Sequence, residues 1–383
     1  MTRLAGNEFG SPASENEIEL SLFGPGYGES IVLHLGHGDW AIIDSCINKN
    51  KEPAPLHYLR AIGVNPSIAV KLIVATHWHD DHVRGIAAVV RDCPNAQFFC
   101  SDALKTEEFR SLVCSLKERS MMKSTSGVKE FGDVMSVLEK RIDAKEKFGT
   151  PKWAVVDRRI WNRVPSESKS VSAEVWSLSP SDASITLAKR EIGSLIPQAG
   201  DSKLRVPSKS PNHLAVALWI KVGNHCLLLG SDLENTSDPS TGWISILEST
   251  ARPNEKASIF KVPHHGSKTA FEERVWQDML YVKPVAVLTP NIRGRTSLPT
   301  LGDVEKIKGL SGQAYLTAKP RTKVRKDRHN IVNKAIKETV LSIHDVPAST
   351  GVIRLRKVAS GSPRDPWKVN LFGSALDLST IQA

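Results

Sequence analysis

The stretch Thr76-His77-Trp78-His79-Asp80-Asp81-His82 narrows the choice of fold more than any other part of this chain. It follows an apolar, β-branched run at residues 70–75 and precedes residues 83–90, which read as a turn into a helix. Imidazoles and carboxylates crowded at a strand end are costly unless a divalent metal offsets the crowding. Neutral imidazole nitrogen and carboxylate oxygen are its natural ligands. His77 and His79 alternate out of an extended segment and can grip one ion from the same side. Asp81 and His82 are adjacent, so their side chains diverge and suit a second ion a few ångströms away. A strand–loop–helix context of this kind is what gives such a motif its weight.

The His-x-His-x-Asp-His pattern resembles the metal-binding signature of the metallo-β-lactamase-fold hydrolases. The segment Gly24-Pro25-Gly26-Tyr27-Gly28-Glu29-Ser30, the strand after it and Trp40-Ala41-Ile42-Ile43-Asp44-Ser45 resemble the opening of that fold. These supply two strands, a hairpin at residues 36–39 and an aspartate at a strand end. Residues 58–64 resemble the short helix before the metal strand. Leu229-Gly230-Ser231-Asp232-Leu233-Glu234 is similar to the strand end whose aspartate bridges two metals. Pro263-His264-His265-Gly266-Ser267 is similar to an element of one subgroup. That subgroup includes the hydrolase domain of bacterial competence DNA-uptake channels (ComEC-like) and a choline-phosphate esterase of cell-wall teichoic acid. The resemblance runs, with an interruption, from about residue 17 to 300.

It implies two divalent ions, Zn expected and Mn the alternative. His77 and His79 would hold the first, Asp81 and His82 the second, with Asp232 bridging. His265 is the candidate to close the second site and His264 a candidate for a supporting or leaving-group role, the order of the pair being open. Asp81, Asp232 and His264 are thus the candidate catalytic residues, and Asp44 would orient a ligand histidine from behind. Two departures stand out. Many family members carry a ligand histidine near Asn212-His213-Leu214, where ComEC-like proteins have an asparagine and later a serine; His213 reads as a ligand or as a structural residue. Leu298 occupies a position where ComEC-like proteins usually have histidine. Neither departure touches the central ligands, so an active enzyme is expected rather than a degenerate binding module.

Length and pattern suggest one fold, residues 17–383, rather than several. The 383 residues can bury a large core, and 40% hydrophobic with 24% charged content is ordinary for a globular protein. Two strand-rich halves with helices outside suggest an α/β, four-layer αββα sandwich with metals where strand ends converge. A helical pair at about 105–147, broken by Lys123-Ser124-Thr125-Ser126-Gly127, reads as an insertion beside the site. Residues 351–358 and 367–372 read as a closing hairpin. The longest apolar runs are too short to span a bilayer, the first residues lack a secretory core, and the five cysteines form no CxxC pair. A cytoplasmic protein with reduced, buried thiols and no membrane partner is expected.

A net charge of +10 and a pI near 9.3 favour a polyanionic partner, nucleic acid above all. The densest basic run is residues 319–329, with Arg321, Lys323, Arg325, Lys326 and Arg328; Arg293, Arg295 and Lys268 lie nearer the expected site. Each is a candidate substrate contact or a solvated side chain. No aromatic interleaves the run, so base stacking is unsupported there. The leading expectation is a phosphodiesterase or nuclease, DNA-binding and using a two-metal-activated hydroxide. A small-molecule hydrolase of a cyclic nucleotide, phosphocholine-type ester or lactam-like amide is the alternative. A third reading is an antiviral (anti-phage) defence effector triggered by a protein partner encoded nearby.

Overall fold

Period-two alternation along the strands sorts apolar side chains into three layers, and the layers define the architecture. The computed structural model describes residues 8–24, 28–118, 127–167, 169–196, 212–292, 297–320 and 350–381. Strands β1 (Glu17–Gly24), β2 (Ser30–His34), β3 (Trp40–Ile43), β4 (Val70–Ala75), β5 (Gln97–Ser101) and β6 (Lys152–Ala154) come first. Then follow β7 (Arg158–Arg163), β8 (Ala173–Ser177), β9 (Leu218–Val222), β10 (His225–Leu229), β11 (Ala257–Lys261), β12 (Leu280–Leu288) and β13 (Gln313–Leu316). Strands β14 (Gly351–Val358), β15 (Lys368–Phe372) and β16 (Leu376–Asp377) close the chain. They build two eight-stranded mixed sheets, ordered β15-β14-β1-β2-β3-β4-β5-β6 and β16-β13-β12-β11-β10-β9-β8-β7.

Ile18, Leu20, Leu33, Leu72 and Val74 of one sheet meet Ile220, Leu227, Leu229 and Ile259 of the other in the central layer. The opposite faces, carrying Trp40, Ile42, Ile73 and Phe98 on one sheet and Trp219, Leu228 and Phe260 on the other, are covered by helices. Burying each such side chain contributes about 1.5–3 kcal/mol. Helices lie outside because β3 to β6 and β10 to β13 run parallel, and parallel neighbours need long crossovers. The fold is the expected metallo-β-lactamase-type sandwich.

The structure bears on several local expectations. The helical pair, Glu107–Glu118 and Gly127–Asp143, lies in the crossover between parallel strands β5 and β6, beside the histidine-rich loop. The closing hairpin is present, but β14 also pairs with β1 along its whole length, from Glu17↔Val358 to Gly24↔Gly351. All five cysteines are unpaired; four are buried, whereas Cys114 is exposed. Among the described residues, no helix is long and apolar enough to cross a membrane.

The crossover grips the histidine-rich loop. Asp80 Oδ1 accepts from Gly127 N (2.6 Å) and Glu130 Oε1 from Gly85 N (3.0 Å). Trp78 is buried edge-on against Phe109, which meets Phe131 in the same way. A Cβ at position 127 would lie 1.7 Å from Trp78 O, so only glycine fits. Gly127→Ala is therefore expected to cost about 1–3 kcal/mol. Denaturant unfolding should show it as a lowered midpoint at unchanged slope.

Candidate metal centre

The carboxyl ends of the parallel strands converge on one edge of the sandwich, where crevices form in such sheets. The loop after β4 carries Thr76 to His82, the turn after β10 carries Ser231 and Asp232, and the turn after β11 carries His264 and His265. Three ligating groups result. One atom each from Asp81, His82, Asp232 and His265 lie within 4.8 Å of one another, as do atoms of His77, His79 and Asp232. Asp232 is shared by both. Asp44, His77 and His82 also cluster, but the Asp44 oxygens are already engaged. They accept from Thr76 N, Thr76 Oγ1 and His82 Nδ1 at 2.7, 2.7 and 2.8 Å.

Hydrogen bonds behind the ring nitrogens fix which nitrogen faces the centre. His82 Nδ1–H donates to Asp44, and His265 Nδ1–H to Thr289 O (3.1 Å). Thr76 Oγ1 spends its proton on Asp44 and accepts from Ser231 Oγ (2.7 Å), so His77 Nδ1–H donates to it at 3.0 Å. All three rings therefore turn Nε2 inward, the atom a neutral ring offers to a metal. Those three Nε2 atoms and Asp232 Oδ1 are buried without a hydrogen-bond partner. Buried orphans of this kind are costly. Imidazole nitrogen plus carboxylate oxygen is a donor set that divalent transition ions satisfy.

Charge points the same way. Glu29, Asp44 and Asp232 are buried and Asp81 is 13% exposed, against one buried ammonium, Lys261. Four carboxylates with one ammonium are an excess of acidic groups in a dry edge, which a protonated His82 reduces and divalent cations would offset. Titration reflects the imbalance. Burial lowers His77 and His79 from their ordinary range, with neighbouring histidines adding to the shift at His77. At His82 burial is overridden by Asp232 and Glu29, which raise it well above its ordinary value. Burial opposes ionisation of Asp81 and Asp232, but the adjacent His82 and His265 hold both below the usual carboxylate range. Burial pushes Asp44 up, against three hydrogen bonds that favour its ionised form.

The other candidates separate. His264, at the rim with 22% side-chain exposure, places Nδ1 2.9 Å from Glu234 Oε1 and has Asn212 Nδ2 3.3 Å from Nε2. Burial opposes its charge, yet Glu234 and Asp232 raise its pKa. His213 joins none of the three groups; its Nε2 faces Glu191 Oε2 at 3.7 Å. Lys268 is exposed just beyond the His264–Gly266 turn. Arg293, Arg295, Arg321, Lys323, Arg325, Lys326 and Arg328 lie outside the described residues. Glu29, Thr76, Asn212, Ser231, Glu234, Lys261 and Thr289 were not singled out by sequence reasoning. Only Glu29, Lys261 and Glu234 left a signal there, as acids or a lysine in or beside apolar strands.

The metallo-beta-lactamase superfamily matches residues 23–275, most of the chain, and the protein belongs to that superfamily. It is by class a metal-dependent hydrolase with His/Asp clusters suited to divalent ions. No curated protein matches it in sequence. Among solved structures it is similar to the metallo-beta-lactamase fold protein YhfI of Bacillus subtilis, at 10% identity and TM-score 0.38, over 80% of this chain and 97% of that one. It is also similar to a metallo-beta-lactamase HARLDQ-motif mutant of Cronobacter sakazakii, at 12% identity and TM-score 0.31, covering 61% and 70%. A metallo-beta-lactamase superfamily protein of the archaeon Sulfolobus tokodaii gives 12% identity and TM-score 0.25, over 59% and 67%.

Elemental analysis of protein purified without chelator, or reloaded after stripping, is expected to find about two divalent ions per chain, as in two-metal hydrolases. Loading should also raise the melting temperature, because ions that bind only the folded state stabilise it.

Proposed function

We propose that the protein is a phosphodiesterase acting on nucleic acid, with Zn or Mn ions held by His77, His79 and Asp232 and by Asp81, His82, Asp232 and His265. Such a pair, when bound, polarises a phosphoryl oxygen and acidifies a water near neutral pH. Asp44 and Thr76 keep His82 and His77 in the ligating tautomer, and Thr289 does so for His265. The observation that carries the substrate reading is the whole chain's net charge of +10, together with a site of this type. A chain so basic attracts polyanions over long range and gains affinity by counterion release. Lys268, exposed beside the His264–Gly266 turn, suits a phosphate contact, and we assign the same role to Arg293, Arg295 and the basic residues of 319–329.

His264 serves the leaving group in this reading. A sugar alkoxide departs poorly without a proton, and a positioned imidazole supplies one. The Glu234 carboxylate accepts from Nδ1, and Nε2, which takes the Asn212 Nδ2–H at 3.3 Å in the neutral ring, gives up that contact when it carries the proton it delivers. Asn212 Nδ2 also donates to Glu234 Oε2 (2.7 Å), which fixes the carboxylate.

The deciding experiment is an assay of Mn- or Zn-loaded protein on single- and double-stranded DNA, RNA and a chromogenic phosphodiester. Cleavage is expected, and Asp232→Ala should abolish it while far-ultraviolet circular dichroism stays unchanged. Loaded protein that turns over a lactam or carboxylic ester but no phosphodiester would overturn the reading in favour of a small-molecule hydrolase. His264→Gln should slow cleavage of unactivated diesters by roughly 100-fold or more, the usual worth of a general acid. A nitrophenyl diester, whose leaving group needs no proton, should lose far less. Neutralising Arg321, Lys323 and Arg325 together should weaken nucleic-acid binding and flatten its salt dependence, by about 0.9 in log–log slope for each duplex phosphate that the variant leaves unneutralised.

A further inference from the structure

Glu29 and Lys261 belong to none of the three ligating groups, yet their side chains form an ion pair that is 3% and 0% exposed. Strand parity puts them there. Lys261 shares the face of β11 with Ile259, and Glu29 stands two residues before Ile31, both in the central layer. An ammonium taken wholly out of water costs several kcal/mol unless its N–H groups are used. Nζ contacts Glu29 Oε1 and donates to Ser231 O (2.8 Å), and it stands 3.9 Å from Asp232 Oδ1.

Glu29 extends the connection. Its backbone N–H donates to Asp81 O (2.8 Å), and its Oε1 lies 3.9 Å from His82 Nδ1. Oε2 accepts from Thr289 Oγ1, while the carbonyl of the same threonine accepts from His265 Nδ1. The pair thus reaches Asp81, His82, Asp232 and His265, directly or through one residue. These four are the members of one ligating group. His77, of the other group, is held instead by Thr76.

We propose that Glu29 and Lys261 are positioning residues for the ion held by Asp81, His82, Asp232 and His265. Lys261 Nζ stands 3.9 Å from Asp232 Oδ1, the oxygen that lies 3.3 Å from His82 Nε2, while Oδ2 faces His77 Nε2 (4.0 Å) and His265 Nε2 (3.7 Å), one ligand from each group. This rests on the two-ion reading above and names the residues on which one of the two ions depends.

The test uses the full-length chain, stripped with chelator and titrated with Mn(II), free ion being read by electron paramagnetic resonance and folding by thermal melting. The double variant Glu29→Gln/Lys261→Met removes one charge of each sign, so the net charge of the site is unchanged and no buried charge is left unpaired. It is expected to melt cooperatively and bind one ion much as wild type does, with the other weakened about 10- to 100-fold, the usual effect of cutting a partner behind a ligand. Lys261→Met alone gives a test of sign. Loss of a nearby cation would tighten divalent binding through Coulomb attraction, whereas loss of positioning weakens it. Thr289→Val, nearly isosteric, cuts the Glu29 link together with the 3.3 Å contact of Oγ1 to His265 Nδ1, keeps the carbonyl that His265 uses, and should weaken the same ion to a smaller degree. Two ions at wild-type affinity in the folded double variant, or tighter binding by Lys261→Met, would overturn the proposal. Should the double variant fail to fold, unchanged affinity in Thr289→Val overturns it alone. Wild-type protein that takes up no Mn(II) would instead overturn the two-ion reading itself.

Discussion

A hydrogen bond from Ser231 Oγ to Thr76 Oγ1 joins the two sheets where their strand ends meet, and the arrangement of the edge follows from it. Because Thr76 accepts that proton, its own goes to Asp44, and its remaining lone pair takes the Nδ1–H of His77. One hydroxyl therefore sets a tautomer, anchors a carboxylate and registers the loop after β10 against the loop after β4. Val216 N–H, donating to Thr76 O at 3.1 Å, and Ser101 Oγ, donating to Leu214 O at 2.8 Å, tie the same edges together nearby. A chain of short, buried, fully used hydroxyls is a rigid frame for imidazoles.

The frame also imposes strain. Among the described residues, nine non-glycine residues have positive φ, and Asp44, Ser231, His264 and His265 are four of them. Each such backbone costs of order 1 kcal/mol or more. These turns bring Asp232 and His265 off adjacent parallel strands toward a common point, which an unstrained strand exit would not do. The central apolar layer behind them supplies the stability that tolerates the cost.

What the sequence disclosed follows the same division. His77, His79, Asp81 and His82 are neighbours in the chain, so their spacing carried the geometry. Asp232 and His265 each end an apolar strand, where a polar residue is conspicuous. The residues behind the ligands were not legible. Glu29 meets Thr289 across a separation of 260 residues, and only the stacking of the two sheets brings them together. Lys261 follows Ile259 on the inward face of β11 and puts a charge there, a local anomaly whose partner no sequence window contains. Asn212 and His213 are adjacent on a 3-10 turn, where successive side chains diverge by about 120°. Composition could not say which of the two would face His264, and the asparagine does. Strands β6 and β7 were missed because short, charged edge strands lack the apolar period that marks interior ones.

The grip of the β5–β6 crossover on the histidine loop also bears on the entropy of that loop. With Trp78 packed edge-on against Phe109 and Asp80 and Gly85 fastened to the helix that begins at Gly127, the packed helices hold the shape of the loop from Thr76 to His82. Ordering such a loop costs roughly 1–2 kcal/mol for each residue. Part of that loss is offset by the packing of the crossover against the loop, so the binding energy of a cation is not the only source of its order.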